Sequence, residues 1–133
     1  MRWRAGLGTA VALIAACAPM QTEVTAMPDS DFDLRVGAAV RILGTPLLVR
    51  FDTVSEDSRC PTDAQCVWEG NATIRLSVDS AGKIQPVELR TSGTPQPASA
   101  FGHRIEYRAL RPAPTTAAPI PSADYVVTLR VPR

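Results

Sequence analysis

From Phe32 onward, apolar and polar residues alternate along short runs, and this alternation constrains the fold more than any other feature of the sequence. A period of two puts successive side chains on opposite faces of an extended chain, so each run reads as a strand with one buried face. Leu47, Val49 and Phe51 alternate with Leu48, Arg50 and Asp52. Ile74, Leu76 and Val78 alternate with Thr73, Arg75 and Ser77, and Tyr125, Val127, Leu129 and Val131 with Val126, Thr128 and Arg130. Val87, Leu89, Ile105 and Tyr107 complete the inward set. Strands are expected over 33–43, 47–54, 67–78, 83–91, 101–110 and 124–131. Asp79-Ser80-Ala81-Gly82 reads as a hairpin turn, with Gly82 free to take a positive φ. Twelve prolines punctuate the gaps, and no window offers a capped helix of normal length. The expected fold is all-β: a small antiparallel β-sandwich, or a barrel-like variant, of about six to seven strands with no substantial helix.

The first residues have a different character. A short basic start with Arg2 and Arg4 leads into an apolar run over 5–16, interrupted only by Gly6, Gly8 and Thr9. The run is too short to span a bilayer, which takes roughly 20 residues, and has the length of a secretory signal's apolar region. It ends in Leu13-Ile14-Ala15-Ala16-Cys17, which resembles the lipobox of bacterial lipoproteins. In that family the Cys thiol is alkylated with diacylglycerol, the chain is cut just before the Cys, and the new amino terminus is usually acylated. The resemblance implies a signal peptide over 1–16, a lipidated Cys17 opening a flexible tether over 17–31, and a single β-domain over 32–133. An ordinary signal peptide cut nearby and a retained helix are the alternatives. Ala18, where Asp would favour the inner membrane, implies by the same resemblance an outer-membrane lipoprotein facing the periplasm. Each buried CH₂ of an acyl chain contributes about 0.8 kcal/mol, so two or three chains anchor a protein stably.

The chain has three cysteines. With Cys17 given to lipid, Cys60 and Cys66 are left to form a disulfide, as expected of an exported protein. Two cysteines and the distant His103 are too few for zinc, and the spacing is not that of a redox-active Cys-x-x-Cys pair. Removal of Arg2 and Arg4 leaves twelve basic against thirteen acidic residues. A near-neutral protein offers no basic stripe for nucleic acid and no electrostatic hold on an anionic membrane. The expected partners are the membrane, through lipid, and an envelope protein or glycan. No metal or cofactor is implied.

The densest segment runs Glu56-Asp57-Ser58-Arg59-Cys60-Pro61, then Cys66-Val67-Trp68-Glu69-Gly70-Asn71-Ala72. It resembles a motif of bacterial lipoproteins and secreted proteins with no assigned activity: Ser-Arg-Cys-Pro, a short loop, then Cys-x-Trp-x-Gly-Asn-Ala leading into a strand. The likeness extends over most of 32–131 and implies architecture rather than activity. As structure, the motif reads as a corner: the disulfide closes the turn, Trp68 covers it, Arg59 pairs with Asp57 or Glu69, and Gly70 bends the chain into the next strand. As function, it reads as a binding surface of Asp57, Arg59, Trp68 and Glu69 on a rigid loop. A calcium site from Glu56, Asp57, Asp63 and Glu69 is a weaker reading, because the acids lack EF-hand spacing. His103 is the only histidine, and no nucleophile elbow, zinc-protease or phosphate-loop motif is present, so no catalytic residue is assigned. The expected role is a non-enzymatic binding or structural module of the cell envelope; the alternative is an envelope inhibitor of a hydrolase such as lysozyme. Two proline-rich gaps, 92–100 and 112–121, read as stiff connections, or otherwise as polyproline ligands for an aromatic groove.

Overall fold

The structure, a computed structural model, describes residues 23–93 and 98–133. The alternating runs form β1 (Val24–Ala26), β2 (Asp31–Arg35), β3 (Ala39–Ile42), β4 (Leu47–Asp57), β5 (Ala72–Ser80), β6 (Lys83–Arg90), β7 (Ala98–Ala100), β8 (His103–Arg111) and β9 (Val126–Arg130). They build two sheets, one ordered β1-β3-β4-β5-β6 and the other β2-β9-β8-β7. The β1–β3 pairing is parallel and the rest are antiparallel. The inward residues of both sheets meet in one core, in which Ile42, Leu47, Phe51, Ile74, Leu76, Ile105 and Leu129 are fully buried. Every inward residue read from the alternation lies in that core or, for Tyr107, packs half-buried against it. The fold is thus an all-β sandwich, with nine strands among the described residues where about six to seven were expected. Among the described residues the one helical piece is a single 3₁₀ turn, Ser122–Asp124.

The extra strands have physical causes. The run over 33–43 breaks at Gly37, whose φ is +84°. There the chain leaves the second sheet and enters the first, and the Gly37 N–H donates to the Phe51 carbonyl at 2.7 Å. Half-buried Val36 and Ala38 keep the apolar pattern going through the crossing, which hides the break in the sequence. β1 lies within the stretch read as tether, and Ala26 is buried. The β-domain therefore begins before Phe32. β7 emerges from the 92–100 gap, while Pro95 and Pro97 lie outside the described residues, as do the expected signal peptide, Cys17 and the tether up to residue 22. The expected strand over 67–78 begins only at Ala72, because residues 67–71 return from the disulfide ring, with the Glu69 and Asn71 carbonyls bonded to Cys60 and Ser58.

Candidate functional site

The site grows out of two irregularities in β4. Asp52 and Ser55 are extra residues relative to β5: Phe51 faces Leu76, Thr53 faces Arg75, Val54 faces Ile74 and Glu56 faces Thr73. Each bulge inverts the in-and-out phase of the residues beyond it. After two inversions Asp57 sits opposite fully buried Ala72, and its carboxylate points into the end of the sandwich.

Arg59 meets it there. The guanidinium donates from Nε to Oδ1 and from Nη2 to Oδ2, both at 2.8 Å, a two-pronged pair. Its remaining N–H groups donate to the carbonyls of Leu110 at 2.9 Å and Pro112 at 3.0 Å, on the opposite sheet. The Tyr125 hydroxyl, just before β9, donates to Asp57 Oδ2 at 2.8 Å. The hydrogen bonds from Arg59, with help from Tyr125, hold the Asp57 carboxyl below its ordinary range. Burial, followed by the neighbouring carboxylate, pushes the Tyr125 hydroxyl up to about 12. Charge-assisted, forked bonds of this kind are the strong ones, because planar donors match both carboxylate oxygens. The pair thus ties the end of β4 to β8 and β9.

The loop beyond β4 is bound on every side. Cys60 and Cys66 form the disulfide, with Cα atoms 5.9 Å apart. Ser58 N–H donates to the Asn71 carbonyl at 2.7 Å, and Cys60 N–H to the Glu69 carbonyl at 2.9 Å. Between these rungs Gly70 approaches so closely that a Cβ would lie 1.8 Å from the Ser58 carbonyl oxygen, and its φ is +68°. Asn71 Oδ1 accepts the N–H groups of Thr91 and Ser92 at 3.1 and 3.2 Å, which fastens the loop to the end of β6. Thr62 N–H donates to Pro114 O at 3.0 Å. Thr116 donates its N–H and its hydroxyl to the Asp63 carboxylate. These bonds dock the 112–121 segment on the loop, which makes that proline-rich stretch part of the corner. A shallow cleft of about 380 Å³ separates the two, lined by Asp57, Arg59, Pro61, Pro114, Thr116 and Tyr125. Among the described residues no buried side-chain nitrogen or oxygen lacks a hydrogen-bond partner.

The expected binding surface therefore divides. Asp57 and Arg59 are tertiary clamps, with side chains only 12% and 14% exposed. Arg59 pairs with Asp57, and the Glu69 side chain takes no part. Trp68 does not cover the disulfide as a buried lid; it is 82% exposed, and its neighbour Val67 is 91% exposed. Glu69 is exposed beside them. The four acids of the calcium reading do not converge, since Asp57 is taken by Arg59 and Tyr125, and Asp63 by Thr116. Among the described residues no cluster of three or more His, Cys, Asp or Glu is placed to hold a metal ion. His103 opens β8 half-buried, opposite Ala100. Sequence reasoning missed Tyr125 and Thr116 as members of the corner, and did not foresee that Asn71 fastens β6 or that Asp63 holds Thr116. Tyr125 sits on the inward phase of its strand and so looks like core, and the others act through contacts between loops far apart in the chain.

No family model matches the chain, and searches of curated proteins and of solved structures returned no match.

Proposed function

We propose that this protein is a lipid-anchored, non-enzymatic module of the cell envelope. In this reading Cys17 carries the anchor, and Val67 and Trp68, next to the disulfide ring, are the contact surface. The carrying observation is that Val67 and Trp68 stand in water directly after the disulfide ring of Cys60 and Cys66, on a stretch held at its base by the Cys60–Glu69 and Ser58–Asn71 hydrogen bonds. Large exposed apolar side chains on a pre-ordered loop mark contact sites, because little ordering entropy opposes binding. The other motif residues have structural duties: Arg59 clamps, the cysteines staple, Gly70 permits the close approach, Asn71 fastens the loop to β6, and buried Ala72 opens β5. Trp68 has none. The lipidated state fits the cysteine count, since Cys60 and Cys66 pair with each other and leave Cys17 over.

Mass spectrometry of the protein isolated from membranes should find diacylglycerol on an amino-terminal Cys17, and Cys17→Ser should release the protein into the soluble fraction. An unmodified Cys17 in membrane-derived protein rejects the reading. A single stapled, exposed loop also favours a second reading, inhibition of a hydrolase by insertion of that loop. In that case the protein slows lysozyme in a turbidity assay and Trp68→Ser abolishes the effect.

A further inference from the structure

Read backwards, β1 aims at the disulfide end of the sandwich. β1 runs parallel to β3, with Val24 opposite Val40, and β3 runs antiparallel to β4, with Ala39 opposite Arg50. Followed backwards from Ala26 to Val24, β1 points the way β4 runs, toward Asp57 and the loop. Arg50 and Asp57 face Ser77 and Ala72, a separation of roughly 17 Å along β5 at strand spacing. The stretch from Cys17 to Glu23 spans at most about 20 Å when extended. Seven residues are thus just long enough, at full extension, to let Cys17 reach the level of the base of the loop.

The same end carries charges of both signs and little net charge: Glu56, Asp63, Glu69 and Asp124 are exposed, as are Arg35, Arg90 and Arg111. Val67 and Trp68 are the two most exposed large apolar side chains among the described residues. The 112–121 segment docked beside the loop contains no charged residue and is largely exposed. Asp57 and Arg59 neutralise each other inside the corner, while the Asp63 carboxylate accepts two bonds from Thr116 that favour its charged form. Glu69 is the exposed acid directly beside Trp68.

We propose that Val67 and Trp68 dock into the headgroup region of the bilayer that holds the lipid on Cys17, so that the domain rests with its disulfide end against the membrane. This rests on the lipid-anchored reading above. The indole ring pairs an apolar body with an N–H donor and favours the membrane–water interface. The near-neutral end needs no anionic lipid. Tethering supplies an effective concentration on the order of millimolar, so a contact too weak to hold a free domain holds a tethered one.

The chain's two tryptophans are Trp3 and Trp68. Full-length protein carrying Trp3→Phe therefore reports on Trp68 alone, whether or not the signal is cut. This protein is isolated from membranes and reconstituted into phosphatidylcholine vesicles with and without brominated acyl chains. Lipidation is checked by mass spectrometry on the same sample. The expected result is quenching of Trp68 emission by the brominated lipid of at least about twofold, with a blue shift that changes little with salt. Trp68→Phe should keep the domain oriented, and Trp68→Ser should not, as read by protection of the 58–71 loop from protease on vesicles. Lipidated, vesicle-bound protein whose Trp68 stays unquenched and open to acrylamide overturns the inference while leaving the anchor intact. Shielding of Trp68 that appears only when peptidoglycan or an envelope protein is added overturns it as well. Absence of lipid on Cys17 sinks the underlying reading instead.

Discussion

Asp57 and Arg59 belong to the same motif as its most conspicuous residue, Trp68, yet their work is internal, and the predictions at this scale rest on that difference. Arg59→Leu removes the forked partner of a largely buried carboxylate and leaves the Leu110 and Pro112 carbonyls without their donor. Stability should fall by about 3 kcal/mol, measured by urea unfolding. The pH dependence has two limbs. The Asp57 pKa in the fold lies below its usual 3.8, so its contribution is intact above that value and is lost as the pH falls through the folded value. The Tyr125 pKa lies above its usual 10.0, at about 12. The unfolded chain then releases this proton first, and stability declines as the pH rises from 10 toward 12. Tyr125→Phe should cost about 1.5 kcal/mol near neutrality, through loss of the bond to Asp57, and should remove this residue's share of the alkaline limb. Urea midpoints measured from pH 3 to pH 12 test both limbs. Gly70→Ala sets a methyl group into the Ser58 carbonyl at a positive φ. The loss should be about 3 kcal/mol or more, read by thermal unfolding.

Among the elements, the disulfide loop and the sheets respond separately. A Cys60→Ser, Cys66→Ser double variant should lose about 2 kcal/mol through the greater entropy of its unfolded loop. Its far-UV dichroism should stay that of the intact sandwich, because the rungs at Ser58 and Cys60 and the dock on Pro114 and Thr116 remain. Proteolysis confined to 61–69 would show this; loss of the whole β signal would contradict it. Element positions were largely legible in the sequence. β4, β5, β6, β8 and β9 fall where period-two alternation puts them, since a half-buried strand cannot bury one face without it. The bulges were not legible. An extra residue at Asp52, Ser55 or Arg108 costs the sequence nothing visible, yet each reverses the faces beyond it. That is why Leu110, out of phase with Ile105 and Tyr107, is nonetheless buried, and why Asp57 turns inward to meet Arg59.

For the molecule as a whole, β9 is the hinge of assembly. It lies between β2 and β8, and Asp31 pairs with Arg130 across nearly the entire described chain. A chain ending before Val126 should show no cooperative unfolding transition, because β2 loses its sheet partner and the core contacts of Val127, Leu129 and Val131 disappear with it. Full-length protein should fold in milliseconds to seconds, as expected where non-local pairings dominate. The sequence alone determined the all-β class, most of the inward residues and the segment that forms the disulfide corner, because burial periodicity and cysteine spacing are local and leave a direct trace. Tertiary structure decided the rest: which residues of that segment turn inward as clamps, that the 112–121 segment docks on the loop, and that Trp68 is left in water. Those outcomes depend on strand register and on contacts between residues distant in sequence, and neither leaves a local pattern to read.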